Sequence, residues 1–433
     1  MSVKTDLLYN INDRPPLGKA LLLSFQHVFA MFGATILVPI LVGLPVSVAL
    51  FCSGLGTILY LVITGFKVPV YLGSSFAYIA AMQYAISAMD GDVSASQSGI
   101  LLIGLIYVVV AGILKTTGTE WLKKLLPPIV IGPMIIVIGL GLSGAAVNQA
   151  GFVQGGSPKG MLVAVVTFLI TAFVATKARG VFKIIPFLSG IVLGYVFAAL
   201  MGEIDFSGVA ASVNGPLFGH ILRFPDFYLP FSTNGLFNEY RLYFGPEALA
   251  ILPIAIVTIS EHLGDHTVLG QITGRDFMKD PGLFKTLAGD GVATSVSALL
   301  GGPANTTYGE NTGVVGMTKV ASTSVIFGAA CIAMILGFIH PVQALIMSIP
   351  NSVLGGISLL LYGVIASNGL RVLIDNKVNF NHQRNLIIAS AMMVLGLGGA
   401  VLPLTQLASL SGTALSAIVG VVLNLILPKA EKE

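Results

Sequence analysis

Residues 301–310 read GGPANTTYGE, and residues 68–76 read VPVYLGSSF. Each stretch interrupts an apolar segment with Pro, Gly and small polar residues, which disfavour a continuous helix. Helix-forming sequence resumes near Gly309 in the first stretch and near Phe76 in the second, where the preceding Ser pair is suited to helix capping. We therefore predict two spans that are half extended and half helical, with ordinary kinks at Pro and Gly as the alternative.

The chain around these stretches has the composition of a protein embedded in lipid. Of its 433 residues, 55% are hydrophobic and 9% are charged, and the mean hydropathy is +0.91. This composition excludes a water-soluble protein, and it gives no indication of nucleic-acid binding. An apolar helix of about 20 residues crosses the hydrocarbon core, and roughly fourteen segments qualify once those interrupted by Gly and Pro are admitted. The predicted spans lie near residues 18–40, 45–65, 69–87, 98–115, 125–143, 160–177, 181–201, 247–272, 282–301, 303–319, 321–339, 341–369, 385–402 and 404–428.

The positions of Lys and Arg give an internal check on this count. Nineteen of the 22 Lys and Arg residues fall in the termini and in alternate loops on one side, and the other side has only Lys159, Arg223 and Arg241. Cytoplasmic loops carry the excess of Lys and Arg in membrane proteins. The sequence therefore predicts an all-α, multi-pass protein of the cytoplasmic (inner) cell membrane with both termini in the cytoplasm.

The only long external loop, residues 203–246, divides the predicted spans into seven and seven. An odd number of spans gives the two halves opposite orientations, as in inverted-repeat transporters. The interrupted stretches fall in the third span of each half, spans 3 and 10. Non-helical backbone at membrane depth is tolerated only where protein covers it or where it lines a polar cavity. We therefore expect the two stretches to face each other at a midplane substrate site, with the N–H groups that begin the helices near Phe76 and Gly309 directed into it.

Ionisable side chains inside apolar spans are costly and are functional candidates by default. They are His27, Glu261, His262, Asp265, His266, Asp290 and Glu310. His266 lies near the cytoplasmic half of its span, where we expect a plain interfacial role.

Carboxyl groups dominate this set. Glu261 and Asp265 are four residues apart on one helical face of span 8, and Glu310 opens the helical half of span 10. Two carboxylates in a poorly hydrated cavity are not expected to be ionised together, so such a site can couple proton uptake to the binding of a neutral polar ligand. Glu261 and Glu310 could each engage an N–H/C=O edge of a flat heterocycle. The candidate proton-coupling residues are Glu261, Asp265, Glu310, His27 and Asp290, although the last two and Asp265 could instead fix helices through buried hydrogen bonds.

Other classes of protein compete with a proton-coupled transporter. Glu261, His262, Asp265 and His266 include ligand types for a divalent cation, but the two pairs face different directions and lack HExxH order, so we expect no metal. An inorganic-anion carrier is disfavoured because Glu310 stands where a helix start would bind the anion. The G-x-G-D tetrad of a membrane-embedded protease and nucleotide-binding motifs are absent. We expect a transporter that is not an enzyme and that uses no cofactor other than the proton as coupling ion.

Several motifs resemble one known family. Residues 310–319 read ENTGVVGMTK, which resembles the signature of the nucleobase–ascorbate transporters, also called the nucleobase:cation symporter-2 family. The similarity extends over essentially all fourteen predicted spans. Further similar stretches are QHVFAMFGAT at 26–35, YLGSSF at 71–76, NTTYGE at 305–310 and LLLYGV at 359–364.

The resemblance implies a core domain that moves against a gate domain. The core would comprise residues 17–117 and 247–340, and the gate residues 121–202 and 341–428, with 203–246 as the extracytoplasmic loop. It implies secondary active import by proton symport with alternating access. It also implies a possible homodimer through the gate domain.

The resemblance further implies which residues bind the substrate. Two acidic positions of the family match Glu261 and Glu310, and its backbone amides match Phe76 and Gly309. Positions that line the family's pocket match Ala34, Tyr308 and Tyr362. Purine-transporting relatives commonly have Gln at the position of Glu310, so the Glu favours uracil, with xanthine or another purine as the alternative. This chain has Asp265 where a uracil-transporting relative has His, so Asp265 either shares the transported proton with Glu261 or orients it.

Overall fold

A computed structural model of the chain describes residues 7–179, 182, 185–403 and 409–428. The two chain ends and the predicted start of span 14 at residue 404 lie outside the described residues. In the first half the helices are α1 (Leu17–Val42), α2 (Val46–Ile63), α3 (Ile79–Ala88), α4 (Ser94–Thr117), α5 (Glu120–Leu125), α6 (Pro128–Gly141), α7 (Ser143–Gln149), α8 (Pro158–Lys177) and α9 (Pro186–Leu200). A strand, β1 (Leu72–Ser74), and a 3-10 turn at Phe76–Tyr78 precede α3.

The second half follows a connection that contains a short helix and a two-stranded pair. These elements are α10 (Ser207–Val213), β2 (Tyr228–Leu229) and β3 (Asn238–Glu239). The helices that follow are α11 (Pro246–Leu249), α12 (Ile254–Thr273), α13 (Leu283–Leu299), α14 (Gly309–Thr318), α15 (Thr323–Leu336), α16 (His340–Met347), α17 (Asn351–Asp375), α18 (Gln383–Leu397) and α19 (Gly412–Ile426). The remaining strands are β4 (Asn305–Thr307), β5 (Val401–Pro403) and β6 (Ser409–Ser411).

The helices are those of an integral membrane protein. Within the described residues, seven helical segments are long and apolar enough to cross a membrane, and five apolar helices are shorter. Helices α3 and α14 each follow a strand, so the helical part of either span alone is too short to cross a membrane. The mostly helical membrane fold is confirmed, and the count of fourteen spans stays a prediction.

The two extended stretches predicted from the sequence meet in the middle of the fold. Strand β1 pairs antiparallel with β4, with Gly73 opposite Thr306. Beyond the strands, Ser75 N–H donates to Ala304 C=O at 2.9 Å and Tyr308 N–H donates to Tyr71 C=O at 3.0 Å. This pairing satisfies the backbone groups that a helix would have satisfied internally, which is the condition for extended chain at membrane depth.

Three details of the sequence prediction are wrong. Ser75 precedes the helical turn, but its side chain makes no capping hydrogen bond. Span 12 is interrupted at Pro350, which separates α16 from α17, because Pro cannot continue the preceding helix. The junction of spans 13 and 14 is partly extended, since β5 pairs antiparallel with β6 between Gly399 (φ +70°) and Gly412 (φ +52°).

The helices form two packed groups. Helix α13 packs against α4 and α2, and α15 packs against α2 and α1. Helix α17 packs against α6 and α8, and α18 packs against α19 and α6. Glycine permits close contact between α4 and α13: a Cβ on Gly104 of α4 would lie 2.5 Å from the carbonyl oxygen of Gly291 on α13. The groups correspond to elements of the predicted core and gate, whose division into moving domains stays a prediction.

An N-terminal strap, residues 7–16, runs along the link between α14 and α15. Leu8 N–H donates to Lys319 C=O at 2.8 Å, and Ala321 N–H donates to Tyr9 C=O at 2.8 Å. Ile11 is 1% exposed and packs in a cluster that includes Phe277. The strap therefore ties the chain start to the end of α14.

Ile11→Ala should destabilise the protein, because it leaves a cavity under the strap. Core Ile→Ala substitutions typically cost about 2–5 kcal/mol. We expect a lower apparent Tm in detergent, measured by the fluorescence of a thiol-reactive dye or by scattering. Leu8→Ala is the matched control, since Leu8 is 69% exposed in the same strap. Equal Tm shifts for the two variants would show that Ile11 does not anchor the strap.

Candidate functional site

Three carboxyl groups converge beside the strand pair. Glu261 and Asp265 lie on α12, and Glu310 lies in the first turn of α14. The three groups are within electrostatic range of one another, and their side chains are only half-buried. Among the described ion pairs, none joins a Lys or Arg to any of the three. The site therefore concentrates acidic groups without a basic partner inside an apolar protein.

Strand β4 fixes the position of Asp265. The Thr307 hydroxyl donates to Asp265 Oδ2 at 2.5 Å. A Cβ built on Gly309 would meet only Asp265 Oδ1, at 3.7 Å. The chain thus leaves open space in front of the first residue of α14, next to a carboxyl group.

Two helix starts also face this region. The 3-10 turn that leads into α3 begins at Phe76, and α14 begins at Gly309. Neither backbone N–H group has an acceptor in the described part of the chain. Free N–H groups at helix starts are donors for a carbonyl oxygen or an anion.

Aromatic side chains complete the surroundings. The rings of Phe76 and Tyr362 are 6.0 Å apart in an edge-to-face arrangement that joins the start of α3 to α17. Tyr308 is buried, and its hydroxyl donates to Ser74 C=O at 2.9 Å and accepts from Thr35 at 3.2 Å. Ala34 belongs to the same buried cluster as Tyr308. Tyr308 thus supports the end of β1, and the buried Tyr362 packs against the half-buried ring of Phe76.

The two other proton-coupling candidates are hydrogen-bonded to partners other than the three carboxyl groups. His27 is buried on α1, where the Asn311 amide donates to its carbonyl oxygen and lies 3.1 Å from its Nδ1. Asp290 is buried on α13, where its Oδ2 is 3.0 Å from His262 Nδ1. Both residues form buried hydrogen bonds between helices.

The expected interfacial role of His266 is wrong. His266 is 1% exposed, and its Nε2 is 2.5 Å from the Tyr60 hydroxyl of α2. Its position along the span indicated a membrane surface, but His266 is buried within the protein, where it is bound by Tyr60. His262 and His266 do lie on a different helical face from Glu261 and Asp265, as their spacing predicts.

Sequence reasoning missed three residues that bind the predicted ones: Thr307, Asn311 and Tyr60. Thr307 and Asn311 flank Glu310 within a polar stretch of an apolar chain, so their polarity was a usable signal. Tyr60 carried no such signal, because a Tyr in an apolar span is usually a packing residue. In the described part of the chain, no group of three or more His, Cys, Asp and Glu residues is arranged to hold a metal ion.

This arrangement can bind a flat, neutral, polar heterocycle. Carboxylate oxygens accept hydrogen bonds from ring N–H groups, and helix-start N–H groups donate to exocyclic carbonyl oxygens. The ring of Phe76 can pack on the heterocycle. A proton taken up by one carboxyl group would offset the mutual repulsion of the three.

Comparison with known proteins identifies clear relatives. The model of the Permease family (Xan_ur_permease) matches residues 18–405. The uracil permease of Bacillus caldolyticus is 51% identical over 423 residues, which cover 97% of this chain and 94% of the relative. The uracil permease of Bacillus subtilis (strain 168) is 48% identical, with 95% and 93% covered, and that of Escherichia coli (strain K12) is 39% identical, with 96% and 93% covered.

Solved structures share the fold at low sequence identity. The transmembrane domain of the cyanobacterium bicarbonate transporter BicA superposes with a TM-score of 0.63 at 16% identity, covering 94% of this chain and 97% of that one. The murine anion transporter Slc26a9 in the inward-facing state gives a TM-score of 0.67 at 12% identity, covering 96% and 69%. At these identities the similarity shows a common fold alone.

Proposed function

Because this chain belongs to the Permease family, it is a membrane transport protein and not an enzyme, and we propose that it imports uracil across the cell membrane by proton symport. The relatives named uracil permease align with nearly its whole length, which supports uracil as the substrate. The geometric observation that carries the proposal is the β1–β4 pair. It brings Glu310 on α14 beside the carboxyl groups of α12.

The hydrogen-bonding pattern of uracil fits these groups. Uracil is flat and neutral, with two ring N–H donors and two carbonyl acceptors. We assign the N–H groups to the carboxyl groups of Glu261 and Glu310 and the carbonyl oxygens to the backbone N–H groups of Phe76 and Gly309. Tyr308 and Ala34 would shape the pocket from behind β1, and Tyr362 would close it from α17.

Proton coupling would follow from charge in the pocket. Three acidic groups without a basic partner repel one another, and the repulsion becomes stronger when a neutral ligand displaces water from between them. A proton on one of the groups reduces this repulsion. In this mechanism the proton loads on Glu261, with Asp265 sharing or orienting it through the Thr307 hydrogen bond. His27 and Asp290 would support the pocket through their buried hydrogen bonds between helices, without carrying the transported proton.

Transport would proceed by alternating access. The group that contains α12 and α14 would move as the core against the group that contains α17, the gate. The edge-to-face contact of Phe76 with Tyr362 crosses between these groups, so it is a contact that would change during the cycle. A homodimer through the gate would leave the core free to move.

Uptake of radiolabelled uracil into proteoliposomes tests the proposal. With an imposed inward proton gradient, uracil should accumulate inside, and a protonophore should abolish the accumulation. Uptake without accumulation would contradict proton symport. Unlabelled xanthine serves as competitor, and competition as strong as that of unlabelled uracil would favour the purine alternative.

Glu310→Gln should weaken the preference for uracil. The Gln amide is neutral, so one uracil N–H would lose its charged acceptor. A hydrogen bond to a charged group contributes about 1.5–3 kcal/mol. We expect about a 10-fold or larger loss of uracil affinity in competition assays, with a smaller change for xanthine. Equal changes for both ligands would show that Glu310 does not discriminate between uracil and xanthine.

A further inference from the structure

A buried polar network lies on the face of α12 away from the three carboxyl groups. It comprises Tyr60, His262, His266, Thr286 and Asp290, and we call it the histidine network. His262 and Asp290 are both 0% exposed. His262 Nδ1 is 3.0 Å from Asp290 Oδ2, and its Nε2 is 3.0 Å from Thr286 Oγ1. The network links α12 to α13 and, through Tyr60, to α2.

The partners of His262 determine where its protons lie. The Thr286 hydroxyl donates its single proton to the Leu283 carbonyl oxygen at 3.1 Å. In this arrangement it accepts from His262, and Nε2 of His262 carries a hydrogen. The contact between His262 Nδ1 and Asp290 Oδ2 then needs one proton, which either atom can carry. In both forms the pair as a whole is neutral.

The partners of His266 fit a neutral ring. Its Nδ1 is 2.7 Å from the His262 carbonyl oxygen, so Nδ1 carries a hydrogen and donates. Its Nε2 is then the acceptor of the Tyr60 hydroxyl at 2.5 Å. The two imidazole rings are stacked with centroids 4.0 Å apart, which disfavours a positive charge on both.

Loss of the shared proton would be costly. Without it, the Nδ1 lone pair of His262 would face a carboxylate oxygen at 3.0 Å in a site closed to water. The second carboxyl oxygen of Asp290, Oδ1, is buried and has no hydrogen-bond partner among the described residues. Glu261, Asp265 and Glu310 are half-buried instead, so their carboxyl groups are less completely shielded from water.

From this geometry we propose that His262 is a positioning residue that holds one proton permanently on its pair with Asp290, so that the transported proton loads on the carboxyl groups of Glu261, Asp265 and Glu310. This inference rests on the proposed proton symport. The proposal assigns the His262–Asp290 pair a constant net charge during the cycle.

Other titratable groups around Asp290 do not replace this partner. The groups within electrostatic range of it are Tyr60, Tyr78, Tyr107, Glu261 and Asp265. The Tyr78 and Tyr107 hydroxyls are bound to Thr258. His262 is thus the group that binds the Asp290 carboxyl directly.

Asp290→Asn provides the test, because the amide can donate to His262 Nδ1 and restore the hydrogen bond without a titratable proton. In proteoliposomes we measure the reversal potential of uracil flux at fixed pH and membrane-potential gradients, which gives the proton-to-uracil stoichiometry. We expect no shift in the reversal potential relative to the unchanged protein, whatever the change in rate. Retained uracil exchange with lost gradient-driven accumulation would overturn the proposal, because Asp290 would then load the transported proton.

A second measurement needs no change at Asp290. In protein labelled with 15N-histidine, the signals missing from a His262→Asn variant identify His262. Its nitrogen shifts in the unchanged protein should stay constant over about pH 5 to 8, where an ordinary histidine changes charge. A titration of these signals in that range would also overturn the proposal.

Failure of the proposed function and failure of this inference give different experimental results. If the unchanged protein does not accumulate uracil with a proton gradient, the proposed function fails. If the unchanged protein does so and only Asp290→Asn loses coupling, the proposed function stands and this inference fails.

Discussion

Glu261→Gln should abolish the accumulation of uracil driven by a proton gradient. Gln has nearly the same shape as Glu, but its amide cannot take up a proton, so the coupling step that we assign to α12 is lost. One charged hydrogen bond to the substrate is lost as well, which lowers uracil affinity by about 10- to 100-fold. Exchange of internal for external uracil should persist at higher uracil concentration, because exchange needs no net proton movement. Counterflow and gradient-driven uptake, measured on the same proteoliposomes, separate the two effects.

Glu120→Gln is the matched control for this prediction. Glu120 lies on α5, is exposed and pairs with Lys123 at 3.0 Å. Exposed ion pairs contribute little, so this variant should transport like the unchanged protein. Unchanged gradient-driven accumulation in both Glu261→Gln and Glu310→Gln would remove the carboxyl groups from the mechanism.

Gly73→Ala should disrupt both stability and uracil binding. A Cβ at this position would lie 2.4 Å from Cζ of Tyr308. Tyr308 cannot easily move away, because its hydroxyl is bound on both sides, to Ser74 and to Thr35. Overpacking of this kind typically costs about 1–3 kcal/mol. The strand must shift to relieve it, and the shift carries the Phe76 N–H away from the substrate.

We expect Gly73→Ala to lower the apparent Tm and to weaken uracil binding by an order of magnitude or more. Binding is measured by isothermal titration or by scintillation proximity in detergent. Gly112→Ala is the control: Gly112 lies within α4, and a Cβ there would meet no atom within 4 Å. If both variants bound uracil normally, close packing of β1 on Tyr308 would not set the site geometry.

The structural features of the candidate site were predictable because its residues break strong local rules. Pro and Gly at 68–76 and 301–310 interrupt apolar segments, and isolated carboxyl groups such as Glu261 and Glu310 are expensive in lipid. Such signals depend on residue type and spacing alone. They predicted the extended stretches, the helix starts and the shared face of Glu261 and Asp265, and the structure confirms these features.

The partners of these residues were not predictable in the same way. Asp265 is held by Thr307, His27 by Asn311 and His266 by Tyr60, and each pair joins residues from different helices or strands. A polar side chain that is satisfied by a distant partner leaves no periodic pattern in the sequence. This is also why the position of His266 along its span gave the wrong environment.

The sequence by itself determined that the chain lies in a membrane, that the spans at 68–76 and 301–310 are broken, and which acidic side chains accompany those two breaks. These properties follow from the energy of placing each residue type in lipid, which is local. Only the tertiary structure decided that β1 pairs with β4, that Tyr308 packs under Gly73, and that His262 binds Asp290 on the far side of α12. Such contacts join residues distant along the chain, so they depend on the packing of whole helices and strands.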